Sequence, residues 1–269
     1  MRILLTNDDG VHAQGLAALE AVARGLCGDV WICAPESEQS GASRSLTLSE
    51  PLRVRRLDDR RFAIVGTPTD CVMLGVQHLI EGAKPDLVLS GINRGLNAAE
   101  DVTMSGTVAG AIEGMALGIP AIALSQMMGP FTGDHRADFA PAEAFGAGLI
   151  RRLVEAGWPK DVILNVNFPL GPPDRVKVVE VTRQGFRDVN IRYAEERTDL
   201  RGRSYYWLGY RNTPSQPSEG TDLRAAYEGR ISVTPLHIDL THDQTANRLR
   251  GLVNGPVENL LAPVENVSS

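Results

Sequence analysis

The apolar positions of the chain fall into two alternating patterns. Short unbroken runs occur at Ile3-Leu4-Leu5, Val30-Trp31-Ile32-Cys33-Ala34, Leu87-Val88-Leu89 and Ala121-Ile122-Ala123-Leu124, and Val162-Ile163-Leu164-Asn165-Val166-Asn167 is a further strand of the same kind ended by Pro169. Runs of this length without polar alternation predict strands buried on both faces of a parallel sheet. Between them lie stretches with apolar residues three and four positions apart: Leu16, Leu19, Val22, Ala23 and Leu26; Val72, Met73, Val76 and Leu79, with Thr69 as N-cap; Val108, Ala111, Ile112 and Met115; and 140–155. That spacing predicts helices with one face on the sheet. Strand and helix in alternation predict an α/β fold.

Other segments are shorter or alternate. Leu46-Thr47-Leu48, Leu52-Arg53-Val54 and Phe62-Ala63-Ile64-Val65 are strand-like, with Asp58-Asp59 as the turn between the last two. Beyond Pro172-Pro173, Val176 to Val181 and Ser204 to Leu208 are predicted as strands separated by a charged stretch. A polar loop from Pro214 to Gly220 precedes Thr221-Asp222, predicted to cap a short helix, and Ile231 to Leu236 returns as a strand. The expectation is one domain, with a core over about 1–170, an extension over about 171–250 that includes a projecting hairpin, and a tail over 251–269, mobile from Ala262 to Ser269. Tyr193, Tyr205, Tyr206, Trp207 and Tyr210 gather in that extension, and aromatics in a polar projecting segment point to a subunit contact.

Composition narrows the class. With 269 residues, 43% hydrophobic and 22% charged, the chain is an ordinary globular protein with room for a sizeable core. A net charge of −6 provides no global field for nucleic acid or an anionic membrane. Cys27, Cys33 and Cys71 are odd in number and lack CxxC spacing, as expected of core thiols in a reducing compartment. No leader precedes the first strand and no apolar run is long enough to span a bilayer, so a cytoplasmic location is expected. His237, Asp239, His242 and Asp243 lie in or beside an alternating run and are taken as surface or hydrogen-bonded side chains. His12, His78 and His135 show no partner pattern.

The candidate chemistry lies where strands end. In an open α/β sheet, ligands bind at the carboxyl ends of strands. The first run stops at Thr6-Asn7 and is followed by Asp8, Asp9 and Gly10. Adjacent carboxylates repel, and a hard divalent cation relieves that cost. The plain alternative is a turn in which Asp8 or Asp9 caps the next helix. After the second strand comes a serine-rich loop with Ser40, Gly41 and Ser43. After Leu89 comes Ser90-Gly91-Ile92-Asn93-Arg94-Gly95-Leu96-Asn97, then a helix start at Ser105-Gly106-Thr107, a natural anion cradle. Neither GxGxxG nor GxxxxGK[ST] occurs in that stretch. Asp8, Asp9, Ser40 and Asn93 together form an all-oxygen set suited to Mg2+ or Mn2+.

These motifs resemble a known family. TNDDG at 6–10, SGASRSLTL at 40–48, GTPTDC at 66–71, SGINRGLN at 90–97, SGTVAGAIEG at 105–114 and ISVTPL at 231–236 match, in order, the SurE (survival protein E) family of metal-dependent nucleotidases. The resemblance implies a Rossmann-like, mostly parallel sheet with helices on both faces, plus a C-terminal β-rich extension used in oligomerisation. It implies one divalent ion per subunit (Mg2+ or Mn2+) held by Asp8, Asp9, Ser40 and Asn93, and a substrate phosphate surrounded by Gly41, Asn97, Ser105, Gly106 and Thr107. It further implies an acid-phosphatase-like 5′-nucleotidase, with Asp8 and Asp9 as catalytic residues. Its substrates would be nucleoside 5′- and 3′-monophosphates, with polyphosphate used by some members, and its assembly a homodimer or homotetramer. Met104 departs from the pattern, where His or Tyr is expected before Ser-Gly-Thr. Two other readings stay open. An aspartyl-phosphate phosphatase would use Asp8 as nucleophile, but Gly10 occupies the second acidic position of its usual DxD. A non-enzymatic nucleotide or metal sensor would share the fold.

Overall fold

The computed structural model describes residues 1–129, 138–211, 213 and 215–255. His135, Pro214 and the tail from Ala262 to Ser269 therefore lie outside the described residues. The chain divides into two compact units, Met1–Leu236 and His237–Ser269.

In the first unit the elements follow one another as β1 (Arg2–Thr6), α1 (Gln14–Arg24), β2 (Asp29–Pro35), β3 (Arg53–Asp58), β4 (Arg61–Val65), α2 (Pro68–Leu74), β5 (Leu87–Arg94), α3 (Gly106–Ala116), β6 (Ala121–Gln126), α4 (Ala140–Ala156), β7 (Ile163–Phe168), β8 (Val179–Val181), β9 (Arg192–Thr198), β10 (Ser204–Tyr210), α5 (Asp222–Tyr227) and β11 (Ile231–Leu236). Among the described residues nine strands form one sheet in the order β3-β4-β2-β1-β5-β6-β7-β11-β8. β4, β2, β1, β5, β6 and β7 are parallel, and by order of appearance they run 3-2-1-4-5-6. That is the doubly wound Rossmann order, and it reverses between β1 and β5. β3 joins antiparallel at one edge; at the other, β11 runs antiparallel to β7 and parallel to β8.

The unbroken apolar runs are explained by a core on each face. Ile3 and Leu5 pack with Leu16, Leu19 and Val22 of α1 and with Ala142 and Ile150 of α4. Leu4, between them in sequence, faces the other way, onto Cys71 and Val72 of α2 and Val108, Ala111 and Met115 of α3. Ile3, Leu4 and Leu5 are 0% exposed, so each contributes about 1.5–3 kcal/mol and neither face can be given up. Gly15 lets α1 lie close on β5, because a Cβ there would fall 1.9 Å from the Ile92 carbonyl oxygen.

The differences from the sequence expectations have local causes. Leu46-Thr47-Leu48 is no strand: Leu48 is 87% exposed, and Thr47 donates its N–H and hydroxyl to Asp70 (3.1 and 2.7 Å) rather than to a neighbouring strand. The cap of α2 is Thr67, two residues before the expected Thr69, because Thr67 and Asp70 form a reciprocal capping box with Pro68 at the first helical position. The strand expected over Val176–Val181 shrinks to β8. The charged stretch before Ser204 is itself a strand, β9, paired antiparallel with β10 from Arg192↔Tyr210 to Thr198↔Ser204. Asp222 accepts the Leu223 N–H at 2.7 Å at the start of α5, while the Thr221 hydroxyl donates to the Ser218 carbonyl.

The second unit contains a helix not foreseen, α6 (Asp243–Val253), capped by His242, whose Nδ1 accepts the Thr245 N–H at 3.2 Å. This gives His242 a structural role. Among the described residues, no helix is long and apolar enough to cross a membrane.

Candidate active site

The reversal of strand order puts the ends of β1 and β5 beside each other, and their loops diverge to opposite faces. Thr6 of β1 pairs with Ser90 of β5, so Asp8 and Asp9 leave the sheet next to the strand that carries Asn93. Gly10, at φ +102°, turns the chain, and the Asn7 amide donates to its carbonyl at 3.0 Å. α1 then begins after Ala13 with no side-chain cap, so neither aspartate is spent as a helix cap.

Hydrogen bonds draw the expected ligands around the aspartate pair. The Gln39 N–H donates to the Asp8 carbonyl at 2.7 Å, anchoring the loop one residue before Ser40. The Arg94 N–H donates to Asp9 Oδ2 at 3.3 Å, one residue after Asn93. The Asn93 Nδ2 donates to the Gly95 carbonyl at 2.9 Å, which leaves its Oδ1 as the atom for a cation. The Ser40 hydroxyl donates to Glu38 Oε1 at 2.8 Å, and a hydroxyl oxygen so oriented retains lone pairs. Farther along the serine loop, Ser43 donates to the Thr103 carbonyl at 2.9 Å and Arg44 pairs with the buried Glu113 at 3.1 Å. These polar contacts hold a loop whose leucines are exposed.

Asp8 is only 5% exposed, deeper than a loop aspartate in sequence suggests. Burial pushes its carboxyl up to about 6 and the Asp9 charge adds to the rise, while the Thr107 hydroxyl opposes it by donating to Oδ1 at 2.5 Å. Asp9 is also raised, by burial and then by the Glu38 charge, against the Arg94 N–H. Two desolvated carboxylates, with the Ser40 hydroxyl and the Asn93 amide on segments bonded to theirs, match the chemistry of a hard cation, which would relieve both the burial and the repulsion. Among the described residues, no three Asp, Glu, His or Cys side chains gather as a metal site, so a cation here depends on Ser and Asn oxygens as well.

The N-terminus of α3 abuts Asp8. A Cβ on Gly106 would fall 2.8 Å from Asp8 Cβ and 3.0 Å from Oδ2, so only glycine permits this approach. Ser105 is the N-cap, its Oγ accepting the Val108 N–H at 3.0 Å. The hydroxyls of Ser105 and Thr107 thus serve helix and aspartate, and an anion here meets backbone N–H groups first. Gly41, at φ +77°, follows Ser40 on the exposed loop, and half-buried Met104 ends the short helical turn Ala99–Met104. Asn97 is 7% exposed, its Nδ2 donating to Ser125 Oγ at 2.9 Å.

Sequence reasoning passed over several contributors. Glu38 faces Asp9 electrostatically, and a single acid in a serine-rich loop gives no signal of that. Asn165 and Asn167 bond to the Asn97 backbone, and their signal was two amides at alternate positions of a buried strand. Asp222 accepts the Ala99 N–H at 3.0 Å and Gln184 donates to the Ala99 carbonyl at 2.9 Å, contacts across sequence distances that no local pattern reveals.

The chain is similar to known proteins over nearly its whole length. The family model for Survival protein SurE matches residues 3–191. The 5′-nucleotidase SurE of Caulobacter vibrioides (strain NA1000 / CB15N) is 69% identical over 255 residues, covering 95% of this chain and 97% of its own. That of Brucella canis is 57% identical, covering 90% and 94%. The crystal structure of the SurE protein from Aquifex aeolicus, 39% identical, superposes with a TM-score of 0.80 over 94% of this chain and 99% of that one.

Proposed function

The chain belongs to the survival protein SurE family, and on that premise we propose that it is a 5′-nucleotidase, releasing nucleoside and phosphate from nucleoside 5′-monophosphates. We extend the substrate class to 3′-monophosphates, since a site built around the phosphate places little demand on the ester position. The observation that carries the reading is the desolvated Asp8–Asp9 pair packed against the start of α3.

A phosphate monoester is doubly charged and repels both carboxylates, so the site needs a positive charge between them. Asp8, Asp9, Ser40 and Asn93 would hold one divalent ion, Mg2+ or Mn2+, which when bound supplies charge to the phosphoryl oxygens and makes water more acidic. Thr107 fixes the Asp8 carboxylate by donating to one oxygen. Asp9, the less buried of the two, is the residue we assign to take the proton from the attacking water. Gly41, Asn97, Ser105, Gly106 and Thr107 are assigned to surround the phosphate, by backbone N–H groups and the Asn97 amide. The deep burial of Asp8 favours attack by water over a phosphoenzyme on Asp8.

The hairpin of β9 and β10 exposes Tyr206 (63%), Trp207 (59%) and Leu208 (84%), and we assign it to contact between copies of the chain in a homodimer or homotetramer. The buried, unpaired thiols of Cys33 and Cys71 support a cytoplasmic location.

The test is AMP hydrolysis by chelator-treated protein with and without Mn2+, comparing the parent with Asp9→Asn. The parent should regain activity with Mn2+ and the variant should not. A folded Asp9→Asn protein, normal by circular dichroism, with undiminished hydrolysis at limiting Mn2+ would overturn the reading. A phosphoenzyme trapped on Asp8 by acid quenching would replace the water attack.

A further inference from the structure

Asn97 takes its backbone partners from a distant strand. Its N–H donates to Asn167 Oδ1 at 3.0 Å, and its carbonyl accepts from Asn167 Nδ2 at 3.1 Å. One side-chain amide thus engages a loop residue at two points, as a neighbouring strand would. Asn165, two residues earlier and on the same face, donates a further bond to the Asn97 carbonyl at 2.7 Å. The Asn97 side chain is held separately: of its two amide N–H groups one is spent on Ser125 Oγ, leaving the second for another acceptor. Ser125 and Asn167 are partners in the β6–β7 register, so these contacts form one rigid patch at the sheet's carboxyl end. Asn165, Asn167 and Ser125 are all 0% exposed.

We propose that Asn167, supported by Asn165 and Ser125, is a positioning residue for the reaction, holding the Asn97 amide where it meets the substrate phosphate. The proposal rests on the phosphate assignment of Asn97 made above. Two observations favour positioning over simple packing. β7 gives up two apolar positions in a buried strand, and both amides converge on a single backbone carbonyl. A group that must meet a reacting phosphate tolerates misplacement of only about 0.5 Å.

The experiment measures kcat and KM for AMP at saturating Mn2+, together with thermal melts. The variants are Asn167→Ala, Ser125→Ala and Asn97→Ala, and each of the first two combined with Asn97→Ala. Asn167→Ala is expected to lower kcat about 10- to 100-fold, as misplacement by about 1 Å does. Ser125→Ala, which leaves the backbone clamp intact, should lower it less and carries the test if Asn167→Ala does not fold. In the Asn97→Ala background neither substitution should lower kcat further, although Asn167→Ala, which still loses its bonds to the backbone of residue 97, should lower the melting temperature. That split separates positioning from folding, since a structural role moves both quantities in both backgrounds. Parental kcat in Asn167→Ala and Ser125→Ala, or an equal loss in the Asn97→Ala background, overturns the proposal while the nucleotidase reading stands. If Asn97→Ala itself retains parental kcat and KM, the phosphate assignment fails and the proposal falls with it. Absence of AMP hydrolysis in the parent protein is the separate signature that the nucleotidase reading is wrong.

Discussion

Asp8→Asn should inactivate the protein and, with metal removed, make it more stable. The Asp8 carboxyl rises from the usual 3.8 to about 6 in the folded chain, chiefly through burial. A rise of that size means that folding the ionised form costs about 3 kcal/mol. Because the folded value lies above the unfolded one, the cost is absent below about pH 4, grows as the pH rises, and is complete above about pH 6. Asparagine has the same shape without the charge and still accepts from Thr107 through Oδ1. Its Nδ2 must sit beside Gly106 in place of an oxygen, a buried donor costing about 1 kcal/mol. The net gain at pH 7.5 is then about 2 kcal/mol, or about 4–8 °C in melting temperature for a chain of this size. Melts of the parent and variant in EDTA, from pH 7.5 down to pH 4, are the assay. The advantage of the variant should shrink below about pH 6 and reverse near pH 4, where only the amide cost remains. Excess Mn2+ should raise the parent alone, by about 2.7 kcal/mol at one hundred times its Kd. A variant melting below the parent at pH 7.5 in EDTA, or a difference independent of pH, would refute the argument.

Other substitutions separate site from scaffold. Gly106→Ala would place a Cβ 2.8 Å from Asp8 Cβ, inside carbon–carbon contact, and should weaken Mn2+ binding about tenfold or more in a metal titration. Gly15→Ala meets the Ile92 carbonyl at 1.9 Å and should lower stability by at least about 1–3 kcal/mol in urea unfolding. Ser105→Ala removes the acceptor for the Val108 N–H but keeps its own N–H, so it should cost about 1 kcal/mol of stability with kcat and KM near parental values. A large rise in KM would instead show that the hydroxyl binds substrate. Leu208→Asp, on the exposed hairpin, should reduce the particle mass in light scattering without unfolding the core.

What was legible in the sequence depended on whether the signal was local. β1, β2 and β6 are buried on both faces, so their apolar residues did not alternate with polar ones and the strands stood out as apolar runs. The carboxylates were legible because Asp8-Asp9 directly follow such a run. β9 was not, since Arg192–Thr198 pairs only with β10 in a two-stranded ribbon and its charged side chains stay in solvent. α6 was missed because none of its residues is buried, so no apolar face had to appear. Thr67 and Thr69 were equally good caps by residue type, and the reciprocal bond from Asp70 decided between them. The clamp on Asn97 joins residues 68 and 70 positions away, and nothing short of the fold brings them together.

The distribution of polar residues along the strands links fold to site. β1, β5, β6 and β7 bury apolar residues near their starts, at Ile3, Leu87, Ala121 and Ile163, and hydroxyls and amides enter farther along, at Thr6, Ser90, Ser125, Asn165 and Asn167. This costs stability: within the described residues, Thr6 Oγ1, Asn7 Oδ1, Ser90 Oγ and Asn165 Oδ1 are buried without a hydrogen-bond partner. An unpaired buried polar group costs about 1–3 kcal/mol unless water reaches it. α3 adapts to the same patch, since a Cβ on Gly110 would fall 2.8 Å from Ser90 Oγ. Had stability alone shaped these positions, alanine or valine would serve better at each of them. Their polarity lies where the chain reaches Asp8 and Asn97, and a sheet ending in hydrocarbon would leave those loops without donors and acceptors to fix them. The apolar positions of the strands therefore supply the stability, and the polar positions use part of it to hold the site in place.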